Sequence, residues 1–139
     1  MMQRDYILRM IEEAAQMVAR LMGLRKQKQY DEALQQIEDN YRAFFKLDRQ
    51  TLHLTEDNQL PDLLVNEYEL PEEMLGILAD FLREEGEILY HQAKWEESSR
   101  AFHKALYLLE YLNETNKEVY DFSRIHKMDG ILAKLTEMI

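Results

Sequence analysis

The residues of this chain best suited to acid–base or metal chemistry are its four histidines, His53, His91, His103 and His126, and the carboxylates near them. A di-metal site between helices uses Glu-x-x-His pairs, because ligands at that spacing share a helix face. Three residues before the histidines stand Gln50, Ile88, Arg100 and Ser123, none a carboxylate. The best cluster is Glu84, Glu87 and His91, which share one face of a helix. It can grip a cation weakly. The plainer reading is a solvated face with a local Glu–His contact, so we expect no metal and no cofactor. The stretch TEDNQLPD lacks the alternating oxygen ligands, central glycine and distal glutamate of a calcium loop. Neither a Gly-rich phosphate loop nor a dinucleotide fingerprint occurs. Ser98 and Ser99 have no nucleophile elbow around them. With no cysteine, thiolate nucleophiles, disulfides and cysteine zinc sites are excluded. We therefore expect a protein that is not an enzyme.

The elements that position these residues follow from composition. The 139 residues include only four glycines and two prolines, and good helix formers dominate the rest. A chain of this length suits one domain with a real core. Residues 4–27 read as a long helix, with Ile7, Met10, Ile11, Ala14, Met17, Val18, Leu21 and Met22 at three- and four-residue spacing. The stripe is wide enough to want burial on more than one side. Its methionines suit an adaptable binding surface, but at this spacing they read more simply as core. A second helix over 31–47 turns Ala33, Leu34, Ile37, Tyr41, Phe44 and Phe45 inward and is able to run on through Leu52 and Leu54. TEDNQLPDLLVNEYELP then reads as a connector, with one short helix after Pro61, and as the least stable part of the fold. Pro71 with Glu72 and Glu73 starts a helix that runs to about Gln92. Met74, Leu75, Leu78, Phe81, Leu82 and Leu89 are its inner face. A helix from about Glu96 to Leu112 turns Phe102, Ala105, Leu106 and Leu109 inward. The last, about 117–138, carries Val119, Phe122, Ile125, Met128, Leu132, Leu135 and Ile139 on one stripe.

The fold class is all-α. We expect a single domain over residues 1–139, with a first antiparallel helical hairpin over 1–47 and an acidic connector over 48–71. A second hairpin over 72–112 and a closing helix over 116–139 complete it. The net charge of −10 is concentrated in the middle third, where residues 51–98 carry two basic and thirteen acidic side chains. That balance disfavours nucleic acid. Arg20, Arg25, Lys26 and Lys28 form a local basic spot that suits a helix C-terminus. No stretch approaches the ~18 apolar residues of a membrane span. Asp5, Glu12 and Glu13 interrupt any export signal. These features, with the lack of cysteine, lead us to expect a cytoplasmic protein that binds neither nucleic acid nor membrane.

Residues 79–112 resemble a tetratricopeptide repeat. Gly86 stands at the small position of the first helix. Ala93-Lys94-Trp95-Glu96-Glu97-Ser98 matches the turn, and Phe102 and Ala105 match the second helix. Leu82, Glu85 and Glu110 depart from the usual tryptophan, leucine and proline. Gly86 and Ser98 should let two helix backbones approach, with Phe102 and Trp95 filling the space beside them. Lys28-Gln29-Tyr30-Asp31-Glu32-Ala33 is a weaker copy, 65 residues earlier. The opening DYILRMIEEAAQMVARLMGLR also resembles a small uncharacterised bacterial family of repeat-like helical proteins, which brings no activity with it.

The resemblance implies a right-handed superhelix and a protein-interaction module or adaptor, with a peptide groove along the first helix of each hairpin. Position by position, the groove residues are Asp80, Arg83, Glu87, Tyr90 and His91. Glu84 and Glu87 stand where carboxylate-gripping members place cations, so an acidic groove and a basic or mixed protein or peptide partner are expected. The same transfer puts Ala15, Val18 and Met22 on the groove side of the first helix. That surface is too apolar to leave in water. It motivates the alternative, a self-associating structural protein: a homo-oligomer, with a symmetric dimer favoured over cover by the last helix. An enzyme is the third reading.

Overall fold

The computed structural model describes residues 3–115 and 121–139. The helices are α1 Arg4–Lys26, α2 Tyr30–Phe45, α3 Arg49–Leu54, the single turn α4 Leu60–Asp62, α5 Glu73–His91, α6 Trp95–Thr115 and α7 Phe122–Glu137. A 3-10 turn at Asp57–Gln59 precedes α4 and a π turn at Leu63–Glu67 follows it. Among the described residues there is no strand, and no helix is long and apolar enough to cross a membrane.

Helix α5 lies at the centre, packed by α1, α2 and α6. Its inner residues Met74, Leu75, Leu78, Phe81, Leu82 and Leu89 are all buried, as the periodicity requires. Its closest neighbour is α6. A Cβ built on Gly86 would lie 2.9 Å from three ring atoms of Phe102, and the Ser98 hydroxyl donates to the Gly86 carbonyl at 2.7 Å. The close crossing expected at Gly86 is therefore present. Trp95 does not fill space there. It stays half exposed and meets Tyr90 edge-on at 5.3 Å.

The turns after α1 and α5 are copies of each other. In the first, the amides of Gln27, Lys28 and Gln29 donate to the carbonyls of Gly23, Arg25 and Leu24; in the second, Gln92, Ala93 and Lys94 donate to Ile88, Tyr90 and Leu89. Each pair is 65 residues apart. Lys28 and Ala93 hold the left-handed position, at φ 61° and 60°. Both helices thus end in the same hydrogen-bonded cap.

The connector differs from expectation. The second helix does not run through Leu52; Lys46 turns left-handed at φ 60°. Helix α3 starts afresh, with the Asp48 carboxylate accepting the Thr51 amide at 2.7 Å. This helix and the segment that follows contribute to the core. Leu52, Leu60, Leu64 and Leu70 are buried, and Lys104 of α6 donates to the Thr55 carbonyl at 2.7 Å and to Asp57 at 2.6 Å. No continuous helix carries the four leucines. Short turns of differing pitch bring them onto one side instead.

The closing helix is rotated from expectation, and its proposed start and Val119 lie outside the described residues. Phe122, Leu132 and Ile139 are exposed rather than inward. Ile131 is the one buried residue of α7, with Met128, Leu135 and Met138 partly buried beside it. Two overlapping stripes exist in this sequence. The helix uses the one that also turns Lys127 and Lys134 toward acids on α5.

Two stability outcomes follow. Gly86→Ala should cost about 1–3 kcal/mol by overpacking the buried Phe102 ring, read as a lowered denaturation midpoint, with Phe102→Leu in the same chain restoring part of it. Ala93→Gly should raise stability by roughly 0.5–1 kcal/mol, because glycine relieves the left-handed strain at an exposed position. No change in either midpoint would contradict the tight crossing and the strained cap.

Candidate functional site

The spacing of Asp80, Arg83, Glu87 and Tyr90 puts them along one edge of α5, a helix otherwise buried. Helix α7 lies along that edge. Lys127 reaches Asp80 at 2.9 Å, Lys134 reaches Glu87 at 3.8 Å, and the Tyr90 hydroxyl donates to Glu137 at 3.0 Å. The partners in each pair are 47 positions apart, so the two helices run parallel in one register. On the other side, the Arg25 guanidinium of α1 grips Glu84 with two bonds, at 2.7 and 3.3 Å. The Glu84 hydrogen bond and charge raise the Arg25 pKa above its ordinary value, against the opposing effect of burial.

Helices α1, α5 and α7 thereby frame a groove of about 460 Å³. Asp80, Arg83, Glu84 and Glu87 are its floor; Val18, Met22 and Arg25 form the α1 wall, and Gly130, Ala133 and Lys134 the α7 wall. Asp80, Arg83 and Glu87 of the groove set and Val18 and Met22 of the self-association set line this one concavity. Ala15, exposed, lies one turn before Val18 on the same face of α1.

Tyr90 and His91 do not line the groove. They close its end as part of an aromatic cluster: His91 stacks on Tyr30 at 5.8 Å, and Lys134 lies over the Tyr90 ring at 4.1 Å. The bond to Glu137, with that carboxylate's charge, raises the Tyr90 pKa.

The expected acidity of the groove is offset. Asp80, Glu84, Glu87 and Glu137 face Arg25, Arg83, Lys127 and Lys134, so its lining charges balance. Three of the four cations, Arg25, Lys127 and Lys134, come from α1 and α7, which a reading of α5 alone leaves out. The Glu84, Glu87 and His91 cluster is likewise divided, with Glu84 turned to Arg25 and Glu87 within 4 Å of both Lys134 and His91. Among the described residues, no group of three or more His, Asp or Glu is placed to hold a metal ion.

A second polar constellation went unread in the sequence beyond the oddity of Glu85 at a leucine position. The Glu85 carboxylate is 1% exposed. It accepts from the Tyr41 hydroxyl at 2.5 Å and from Arg49 Nε at 2.8 Å, and His53 Nε2 lies at 2.8 Å. It thus ties α5 to α2 and α3 under a cleft of about 380 Å³ that Glu97 and Arg100 also line. Burial pushes the Glu85 carboxyl up, but the bonds and charges of His53, Arg49 and Tyr41 outweigh it and hold the net value below the usual range. Burial and the Glu85 charge push the Tyr41 hydroxyl well above its ordinary value. A carboxylate–histidine pair is a familiar acid–base unit. Here both carboxylate oxygens are engaged, and the other ring nitrogen of His53 is buried without a partner. The arrangement locks three helices together. A glutamate interrupting the leucine stripe Leu78, Leu82, Leu89 was the signal for it.

The pH dependence of folding should carry this signature. The lowered Glu85 pKa contributes stability that is present above the unfolded carboxyl value of about 4.3 and is lost as pH falls through the folded one. The raised Tyr41 pKa contributes stability that is present below about pH 10 and is lost above it. Urea denaturation across pH should therefore show a plateau with losses at both ends. At neutral pH, Glu85→Ala should cost about 3 kcal/mol, since it leaves buried partners uncompensated. Tyr41→Phe should abolish most of the alkaline loss. A variant as stable as the parent would show that the cluster does not hold the helices.

In comparisons with protein-family models, curated proteins and solved structures, no match to this chain was found.

Proposed function

We propose that this chain is a non-catalytic protein-interaction module, and that its partner is a protein or peptide segment seated in the groove between α1, α5 and α7. The observation that carries this reading is the open wall of that groove. Met22 is 37% exposed beside the half-buried Val18, while the charged floor is already paired within the chain. A partner that brings apolar surface gains burial there without having to neutralise the floor. The identical caps after α1 and α5 support kinship with helical repeats, which bind on such a face. The balanced lining favours an amphipathic partner of mixed charge over a purely basic one. We assign the module to the cytoplasm, a reading supported by the absence of cysteine.

Gly130 offers a clean test. It lines the groove, is exposed, and a Cβ there meets no atom within 4 Å. Gly130→Gln therefore obstructs the groove without disturbing the core. Affinity capture should recover a partner with the parent chain and with a control, Glu110→Gln, on the exposed face of α6. Capture by Gly130→Gln should fall at least tenfold. Equal capture by all three would remove the groove from the reading.

A further inference from the structure

We propose that the cleft over Glu85, between α2, α3 and α6, binds a small zwitterion: a free amino acid with an apolar side chain. This cleft shares no lining residue with the groove between α1, α5 and α7. The site is therefore additional to the protein-binding role.

The charges left unsatisfied in the cleft carry the inference. The Arg49 guanidinium meets Glu85 through Nε, at 2.8 Å. Its two Nη groups have no hydrogen-bond partner among the described residues, and the side chain is 28% exposed. Arg100 of α6 lines the same cleft, is exposed, and has no ion pair among the described residues. A guanidinium with a free edge offers paired N–H groups that match the two oxygens of a carboxylate. The bond to the buried Glu85 holds Arg49 in place before any ligand arrives, which lowers the cost of ordering it on binding.

Glu97 gives the cleft a free charge of the other sign. It is exposed and likewise without an ion pair among the described residues. Glu97 and Arg100 stand three residues apart on α6, a spacing that allows pairing, yet no ion pair joins them. The other acids of the lining are engaged, Glu38 by Arg42 at 3.1 Å and Glu85 by Tyr41, Arg49 and His53. A bare anion in this cleft meets Glu97, and a bare cation meets two arginines. A ligand that carries a carboxylate and an ammonium group side by side satisfies both signs at once. The volume of about 380 Å³ suits so small a molecule. Leu54 lines the cleft while 76% exposed, so an apolar side chain on the ligand gains burial against it.

Isothermal titration calorimetry on the whole chain tests this, with leucine, methionine and phenylalanine as probes. At least one should bind with a dissociation constant at or below about 1 mM. Its N-acetyl derivative, which lacks the ammonium, and its amide, which lacks the carboxylate, should each bind at least tenfold more weakly. Arg100→Gln and Glu97→Gln alter exposed side chains with no ion pair to lose, so their melting temperatures should match the parent's while each weakens binding at least tenfold. Glu110→Gln, on the exposed face of α6, should bind as the parent does. Failure of all three probes to bind in that range overturns the proposal. Equal binding of the N-acetyl derivative or the amide, or parental affinity in Arg100→Gln or Glu97→Gln, overturns it as well. Capture of a protein partner through the Gly130 groove is measured separately and stands or falls by its own test.

Discussion

The missing side chain at Gly86 sets the distance between α5 and α6, and most of the molecule is arranged around that distance. With Phe102 lying directly on the Gly86 backbone, the two helices share a long interface that buries nearly every apolar residue of α5. The Ser98 hydroxyl, bonded to the Gly86 carbonyl, uses the remaining space for a hydrogen bond. A helix buried this thoroughly leaves only one edge for polar residues. That edge carries Asp80, Arg83 and Glu87, and it becomes the floor of the groove.

The same burial creates the problem that Glu85 solves. Beside Gly86 the chain places a carboxylate where the stripe calls for leucine. A charge there is tolerated only with several partners, because desolvation otherwise costs more than a typical domain can spare. Tyr41, Arg49 and His53 supply them, and two of the three come from α3. The segment between the two helical pairs is thus recruited to the core. Lys104, almost fully buried, ties it down again from α6. An acidic stretch that looks like a tether in isolation is held through Arg49, His53 and Asp57 by ion pairs to Glu85 and Lys104.

Helix α7 extends the logic to the concave side. It buries little beyond Ile131, yet its two lysines stand two turns apart and meet acids with the same separation on α5. Matching charge, more than apolar area, sets its register and leaves the groove walls of Val18 and Met22 open. On the binding reading proposed above, that open wall is where a partner segment would seat.

Much of this was legible from local pattern. The long helices, their inward faces on α2, α5 and α6 and the close approach at Gly86 follow from propensity, periodicity and small residues, which act over a few residues of chain. The alignment of the two turns also brought Val18 and Met22 into correspondence with Arg83 and Glu87. What tertiary structure decided was rotation and partnership. The amphipathic pattern of α7 allows two stripes, and only the acids of α5 choose between them. Leu52, Leu60, Leu64 and Leu70 sit on separate short elements rather than one helix, and only the core brings them together. Glu85 reads as an error in a leucine stripe until Tyr41, Arg49 and His53 arrive from 32 to 44 positions away. The physical reason is one of range. Backbone preference and side-chain spacing are properties of neighbouring residues, whereas the partner of a buried charge is set by long-range packing.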